Sequence, residues 1–168
     1  MKVTALEEYG FRCILQLAAR DIDEEAMTIS QIAKTERISI PYVAKLMNLL
    51  KNAGFVLSVR GPKGGYRLSR DAGEITLAQV LLALDDTLFH SDFCQRYSGE
   101  CKECVHYRGS CGLRAVWSVL AEQIQGVLSQ TTLAELVGKT EPILANILRR
   151  RFGEQQVTLR GTTSTLRG

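Results

Sequence analysis

Four of the five cysteines fall within eighteen residues, spaced Cys94-x6-Cys101-x2-Cys104-x6-Cys111. Four soft thiolates this close together suit an iron–sulfur cluster or a zinc ion. A structural zinc ribbon draws on two Cys-x2-Cys knuckles, and this stretch has one. A thioredoxin-like dithiol would stand beside a βαβ pattern, which the sequence lacks. The stretch is rich in Gly and charged residues and poor in apolar anchors, so something besides packing must order it. A metal site, a thiol–disulfide switch and incidental cysteines are the three readings at this level. His106 is a candidate ligand, although a lone loop histidine is more often simply solvated. The fifth cysteine, Cys13, lies on an apolar helical stripe and reads as a small buried hydrophobe.

The thiols must be positioned by what flanks them. The chain has 168 residues, 45% hydrophobic and 23% charged, as in an ordinary soluble protein of one medium domain or a small domain plus an arm. It has neither an apolar run of membrane-spanning length nor a signal-peptide pattern, so a cytosolic location is expected. There thiols stay reduced, which favours metal or redox chemistry over structural disulfides.

Net charge is only +3, but residues 34–70 carry eight Lys or Arg against one acid, Glu36. That block is +7 and the remainder of the chain is −4. A local basic block in a nearly neutral protein is the electrostatic footprint of a nucleic-acid contact surface, or else of a solvated basic face.

The pattern beneath that charge is a helix-turn-helix. Thr4 and Glu7 stand in capping-box spacing ahead of a first helix carrying Leu6, Gly10, Cys13 and Leu17. After a polar loop over 21–26, Thr28 caps a short helix from Ile29 to Glu36. A tight turn through Arg37 and Ile38 leads to Ser39 as the N-cap of a third helix, which stops at Gly54. Val43, Leu46, Met47 and Leu50 form its inner face. Pro41, Tyr42, Ala44, Lys45, Asn48, Lys51 and Asn52 are expected outside, facing the major groove.

A strand over 55–60, a Gly-Pro-Lys-Gly-Gly turn and a returning strand from Tyr66 to Leu68 then predict a β-hairpin wing with a basic, glycine-rich tip. A phosphate-binding nucleotide loop would open a helix and carry a GK[ST] sequence, neither of which occurs here. Thr76 and Gln79 cap a fourth helix. After the cysteines, Leu113, Val116, Trp117, Leu120, Ile124, Val127 and Leu128 recur at three- and four-residue steps. Such a long apolar stripe predicts a dimerisation helix. Thr132 and Glu135 cap a short helix ending near Gly138. A last helix over 140–152 and a flexible tail complete the reading. The expected fold is mainly α with a small β-hairpin wing: a winged helix-turn-helix over 1–88, a cysteine-rich loop over 89–111, a dimerisation helix region over 112–138 and a C-terminal helix and tail over 139–168. No paired carboxylates or Ser/His/Asp set suggests catalysis, so an enzyme is not expected, and neither is a small-molecule substrate.

Ser58-Val-Arg-Gly-Pro-Lys-Gly-Gly-Tyr-Arg-Leu68, the preceding helix-turn-helix, the cysteine loop and Leu113-Arg-Ala-Val-Trp117 together resemble the Rrf-two family of bacterial transcription regulators. The resemblance covers roughly residues 1–138. It implies a homodimer with crossed dimerisation helices, bound to partly palindromic double-stranded operator DNA and controlled by an iron–sulfur cluster, of the two-iron (2Fe-2S) rather than the four-iron type. By position Cys94 matches the family's first cysteine ligand and Cys111 the last, with Cys101 or Cys104 between them. IscR-like members carry a histidine where this chain has Arg114. Other members use an acidic residue near the N-terminus, and Glu8 occupies that place, so Glu8 or the extra thiol completes the ligand set. Some members work by cysteine oxidation without a cluster. Tyr42, Lys45 and Asn48 are the expected base contacts, and Arg60, Lys63 and Arg67 the expected backbone or minor-groove contacts.

Overall fold

The computed structural model describes residues 3–20, 26–61, 64–84 and 112–138. Its first three helices begin and end where local chemistry dictates. The Thr4 hydroxyl accepts from the Glu7 N–H at 3.2 Å, and the Glu7 carboxylate accepts from the Thr4 N–H at 2.5 Å. This reciprocal cap satisfies donors that have no partner within the helix, and it opens α1 (Ala5–Ala18). Thr28 and Gln31 repeat the arrangement ahead of α2 (Ile29–Glu36).

α2 ends at Arg37, whose φ of 56° is left-handed. For a residue with a Cβ that conformation costs roughly 1 kcal/mol. The turn it makes is tight enough for α3 (Ile40–Asn52) to start three residues later, directly after an extended Ser39 and with Pro41 in the first turn. Ser39 caps by backbone conformation alone, since its side chain makes no capping bond. Gly54, at φ 79°, closes α3 and turns the chain into the wing.

The wing is an antiparallel pair, β1 (Val56–Val59) and β2 (Gly65–Leu68), in the register Val56–Leu68, Leu57–Arg67, Ser58–Tyr66 and Val59–Gly65. Alternation buries Val56 and Leu68 and leaves Leu57 and Arg67 outside. A third piece of backbone joins the pair. Met27 exchanges both main-chain hydrogen bonds with Tyr66, at 2.8 and 2.9 Å, and so ties the wing to the start of α2.

Next come a 3₁₀ turn (Ala72–Glu74) and α4 (Leu77–Leu84), capped by Thr76 and Gln79 as expected. α5 (Gly112–Gln130) and α6 (Leu133–Val137) follow. Gly10 lets α1 close on α4, because a Cβ there would collide with the Leu84 side chain. Cys13, Ile14, Ile32, Val43, Leu46, Met47, Leu50, Val56, Ile75, Val80 and Leu133 are all fully buried in one core that draws on α1 through α4, the wing and α6.

α5 is held at its C-terminal end. The Leu77 N–H donates to the Thr131 carbonyl and the Leu133 N–H to the Ile75 carbonyl, both at 2.9 Å, and the Thr131 hydroxyl donates to the Val127 carbonyl at 2.8 Å. Accordingly Ile124, Val127 and Leu128 are half-buried, whereas Leu113, Val116 and Leu120 are 63%, 54% and 43% exposed. The expected stripe is therefore covered within its own chain at one end and open at the other.

The mainly α, winged fold matches expectation. The expected cysteine loop, most of the 21–26 loop, the wing-tip residues Pro62 and Lys63, the helix over 140–152 and the tail lie outside the described residues. Among the described residues no helix is long and apolar enough to cross a membrane.

Candidate nucleic-acid interface

On α3 about 3.6 residues make a turn, which separates two faces, with Ala44, expected outside, half-buried between them. Val43, Leu46, Met47 and Leu50 are buried, while Pro41, Lys45, Asn48, Lys51 and Asn52 are exposed. The exposed set carries two ammonium groups, two carboxamides and no acid. These groups can meet phosphates as point charges and base edges as paired donors and acceptors. Arg60 follows β1 and is exposed, and Arg67 is exposed on β2 beside Leu57. The helix face and the wing thus carry the described expected contacts Lys45, Asn48, Arg60 and Arg67; Lys63 lies outside the described residues.

Tyr42 requires a correction. It was expected largely outside, but it sits at the border of the two faces, half-buried, with its ring edge-to-face against Tyr9 of α1 (centroids 5.9 Å apart, planes at 87°). A flat ring at the first turn has apolar neighbours behind it, and Tyr9 supplies them.

Glu36, the single acid of the basic block, is not a surface charge. It is buried at the end of α2, where its carboxylate accepts from Arg12 Nε at 2.6 Å and from Gln16 Nε2 at 2.5 Å. A second Arg12 N–H donates to the Glu36 main-chain carbonyl at 3.0 Å. Bonding to Glu36 raises the Arg12 pKa above its ordinary value, with the nearby Glu8 charge adding to the effect. The acid is therefore compensated from behind, and its field subtracts little from the basic face. Arg70 is also engaged, with its guanidinium 5.2 Å from the Phe55 ring centroid at the wing base. Tyr9, Arg12 and Gln16 were not singled out from the sequence. The only local hint was a lone acid inside a basic block.

Of the expected metal ligands, Glu8 lies exposed on α1, apart from the cap that engages Glu7. Cys94, Cys101, Cys104 and Cys111 lie outside the described residues. Among the described residues no group of three or more His, Cys, Asp or Glu could hold a metal ion.

Cys13 is fully buried as expected, and burial pushes its thiol from its ordinary 9.0 up to about 12. Because the folded value is the raised one, Cys13 does not erode stability below pH ~9. Between pH ~9 and about 12 the unfolded chain releases a proton that the folded chain keeps, and stability falls as pH rises. Native protein treated with iodoacetamide at pH 8 should leave Cys13 unmodified in a peptide map, and Cys13→Ala should soften the alkaline loss of stability across that window. Labelling of Cys13 at the rate of a free thiol would contradict its burial.

Two helices joined by a left-handed turn, the second polar and basic outside, with a basic two-stranded wing beside it, define a winged helix-turn-helix DNA-binding regulator. Residues 3–139 match the Rrf2 family model, whose description is iron-dependent transcriptional regulator. The chain belongs to the Rrf2 family of DNA-binding transcriptional regulators. It is 33% identical to the HTH-type transcriptional regulator IscR of Serratia proteamaculans over 144 residues, which are 86% of this chain and 84% of that relative. Among solved structures it resembles T. potens IscR, with TM-score 0.65, 27% identity and coverage of 82% of this chain and 86% of that one. It also resembles CymR, the global cysteine regulator of B. subtilis, with TM-score 0.68, 26% identity and coverage of 84% and 99%.

Proposed function

We propose that the protein is a homodimeric operator-binding regulator whose affinity for DNA is set by an iron–sulfur cluster held in the 94–111 loop. The observation that carries the DNA-binding part is the acid-free face of α3, placed beside Arg60 and Arg67 of the wing. On this reading Tyr42, Lys45 and Asn48 meet base edges in the major groove. Arg60, Lys63 and Arg67 meet phosphates or a narrow minor groove, where arginine is electrostatically favoured. The open apolar end of α5 supports pairing with a second copy. Pairing would set two recognition helices about 34 Å apart, the spacing of half-sites one turn apart on DNA.

The donor chemistry fits a cluster. Cys94, Cys101, Cys104 and Cys111 are four thiols in one short stretch, and the exposed Glu8 is a carboxylate available to complete or replace one of them. Cys13 is ruled out as a ligand by its burial. When bound, the cluster supplies a redox- and ligand-sensitive iron centre that cross-links the loop. The stretch that carries these thiols joins α4 to α5 in sequence, so a cluster bound there would bear on how the two halves of a dimer present α3. A second reading, control by thiol oxidation without a cluster, is favoured by the likeness to a relative described as a global cysteine regulator and by the extra thiol.

The test of DNA binding is a titration of dimer against a selected operator and against scrambled duplex at several salt concentrations. Lys63→Ala and Arg67→Ala should each weaken both duplexes alike and reduce the log–log salt slope by about one. An unchanged slope would remove that residue from the contact surface. Equal affinity of the unaltered protein for operator and scrambled duplex would remove the specific reading altogether.

A further inference from the structure

Four side chains from three helices form a continuous chain of contacts behind the recognition helix. Glu36, at the end of α2, accepts from Arg12 through both its carboxylate and its main-chain carbonyl, at 2.6 and 3.0 Å. The Arg12 guanidinium carbon lies 5.4 Å from the Tyr9 ring centroid, within cation–π range. Tyr9 in turn meets Tyr42 edge-to-face, in the geometry aromatic pairs prefer. Gln16 donates to the remaining Glu36 oxygen and stops the carboxylate from rotating.

Each contact limits the next. A carboxylate held by two donors, beside a main-chain carbonyl that takes a second Arg12 N–H, fixes the guanidinium plane; that plane fixes the Tyr9 ring, and the ring leaves Tyr42 fewer orientations. Tyr42 stands in the first turn of α3, two residues after its first residue Ile40. In a helix-turn-helix the N-terminal residues of the recognition helix are those that meet base edges. A half-turn of rotation there moves a phenol by several ångströms, far more than a hydrogen bond to a base tolerates.

We propose that Tyr9 and Arg12 are positioning residues for sequence readout: they orient Tyr42 toward the bases, with Glu36 as their anchor, without touching DNA themselves. This rests on the reading that α3 is the recognition helix and that Tyr42 contacts DNA. It goes beyond that reading by assigning operator specificity to residues of α1.

The experiment measures the affinity of full-length dimer for operator and for scrambled duplex, with the ratio of the two as readout. Tyr9→Leu should lower that ratio roughly tenfold, the scale of one lost base contact, with scrambled-duplex affinity and salt slope unchanged. Tyr9→Phe, which retains the ring, should keep the ratio. Arg12→Lys, which keeps the charge beside Glu36 but loses the planar group over Tyr9, should lower it less than Tyr9→Leu does. In a Tyr42→Ala background Tyr9→Leu should cost nothing further, because the residue it orients is gone.

The proposal is overturned if Tyr9→Leu leaves the ratio intact while Tyr42→Ala lowers it, or if the two losses simply add. If Tyr42→Ala itself leaves the ratio intact, the reading of Tyr42 as a contact fails, and the positioning role falls with it. Should Tyr9→Leu fold poorly, the Tyr9→Phe and Arg12→Lys pair decides. Equal ratios in those two variants and the unaltered protein overturn the role of Arg12, and a loss confined to Arg12→Lys supports it.

Discussion

Alanine at position 65 is expected to destabilise the domain by about 3 kcal/mol, the upper end for an overpacked site, and to weaken operator binding more than tenfold. Gly65 is not left-handed, since among the described residues the positive-φ glycines are Gly54 and Gly61, so the cost is one of space. A Cβ at Gly65 would stand 2.5 Å from the Met27 carbonyl oxygen, 2.6 Å from its carbon and 3.0 Å from the Thr28 nitrogen. All three are backbone atoms, and no rotamer change relieves them. Moving the Met27 backbone outward would break its hydrogen-bond pair with Tyr66 and drag Thr28, the cap of α2, with it. The wing and the helix-turn-helix would lose their register together.

For a domain near this size the melting temperature should drop by roughly 10 °C, at about 3 °C per kcal/mol. Gly64→Ala is the matched control. Its Cβ would meet the carbonyl oxygens of Val59 and Gly61, at 2.6 and 2.8 Å, inside the hairpin turn. It should therefore disturb the wing and spare α2, with a smaller loss of melting temperature. Gly10→Ala meets the Leu84 side chain instead of backbone and should fall between the two. A Gly65→Ala melting temperature within about 2 °C of the unaltered protein's would show that the Met27 backbone can yield at little cost.

That junction also shows why some of the fold was legible and some was not. Many features that depend on neighbours three or four residues apart could be read directly, although Gln31 as the partner of Thr28 was missed and Ser39 caps without a side-chain bond. The Thr4–Glu7, Thr76–Gln79 and Thr132–Glu135 caps are such features, and the structure forms all three. The two faces of α3 are another. The wing followed from a Gly-Pro-Lys-Gly-Gly turn between apolar alternations.

What could not be read joins distant positions through a single residue. Met27 pairs with Tyr66 across 39 positions as an isolated bridge, too short to leave an alternating pattern. Arg12 finds Glu36 across 24 positions, and nothing around either residue marks the pairing. Glu36 was counted from the sequence as a charge opposing the basic block, whereas its burial turns it into an anchor. α5 read as one continuous stripe because periodicity reports which residues are apolar, not which of them their own chain covers.

The second large effect concerns the thiols, where the family resemblance and the donor chemistry meet. Anaerobically purified protein is expected to absorb between ~320 and ~460 nm, with iron and sulfide in matching amounts, as thiolate-held clusters do. Cys94→Ala and Cys111→Ala should each abolish those bands, and Cys13→Ala should leave them unchanged because its thiol is buried in the core. The middle of the loop separates two ligand sets. If Glu8 is the fourth ligand, only one of Cys101→Ala and Cys104→Ala loses the bands, and Glu8→Ala loses or shifts them. If four thiolates hold the cluster, both middle variants lose them and Glu8→Ala does not. Operator affinity measured on loaded and unloaded protein then shows whether the cluster controls DNA binding. A colourless protein that contains no iron even after reconstitution would end the cluster reading. Stoichiometric zinc would then make the loop a structural site. Operator affinity that an oxidant changes and dithiothreitol restores would make it a thiol switch. In either case the reading of α3 as the DNA-contacting face stands, because it rests on that helix's own exposed groups and not on the state of the thiols.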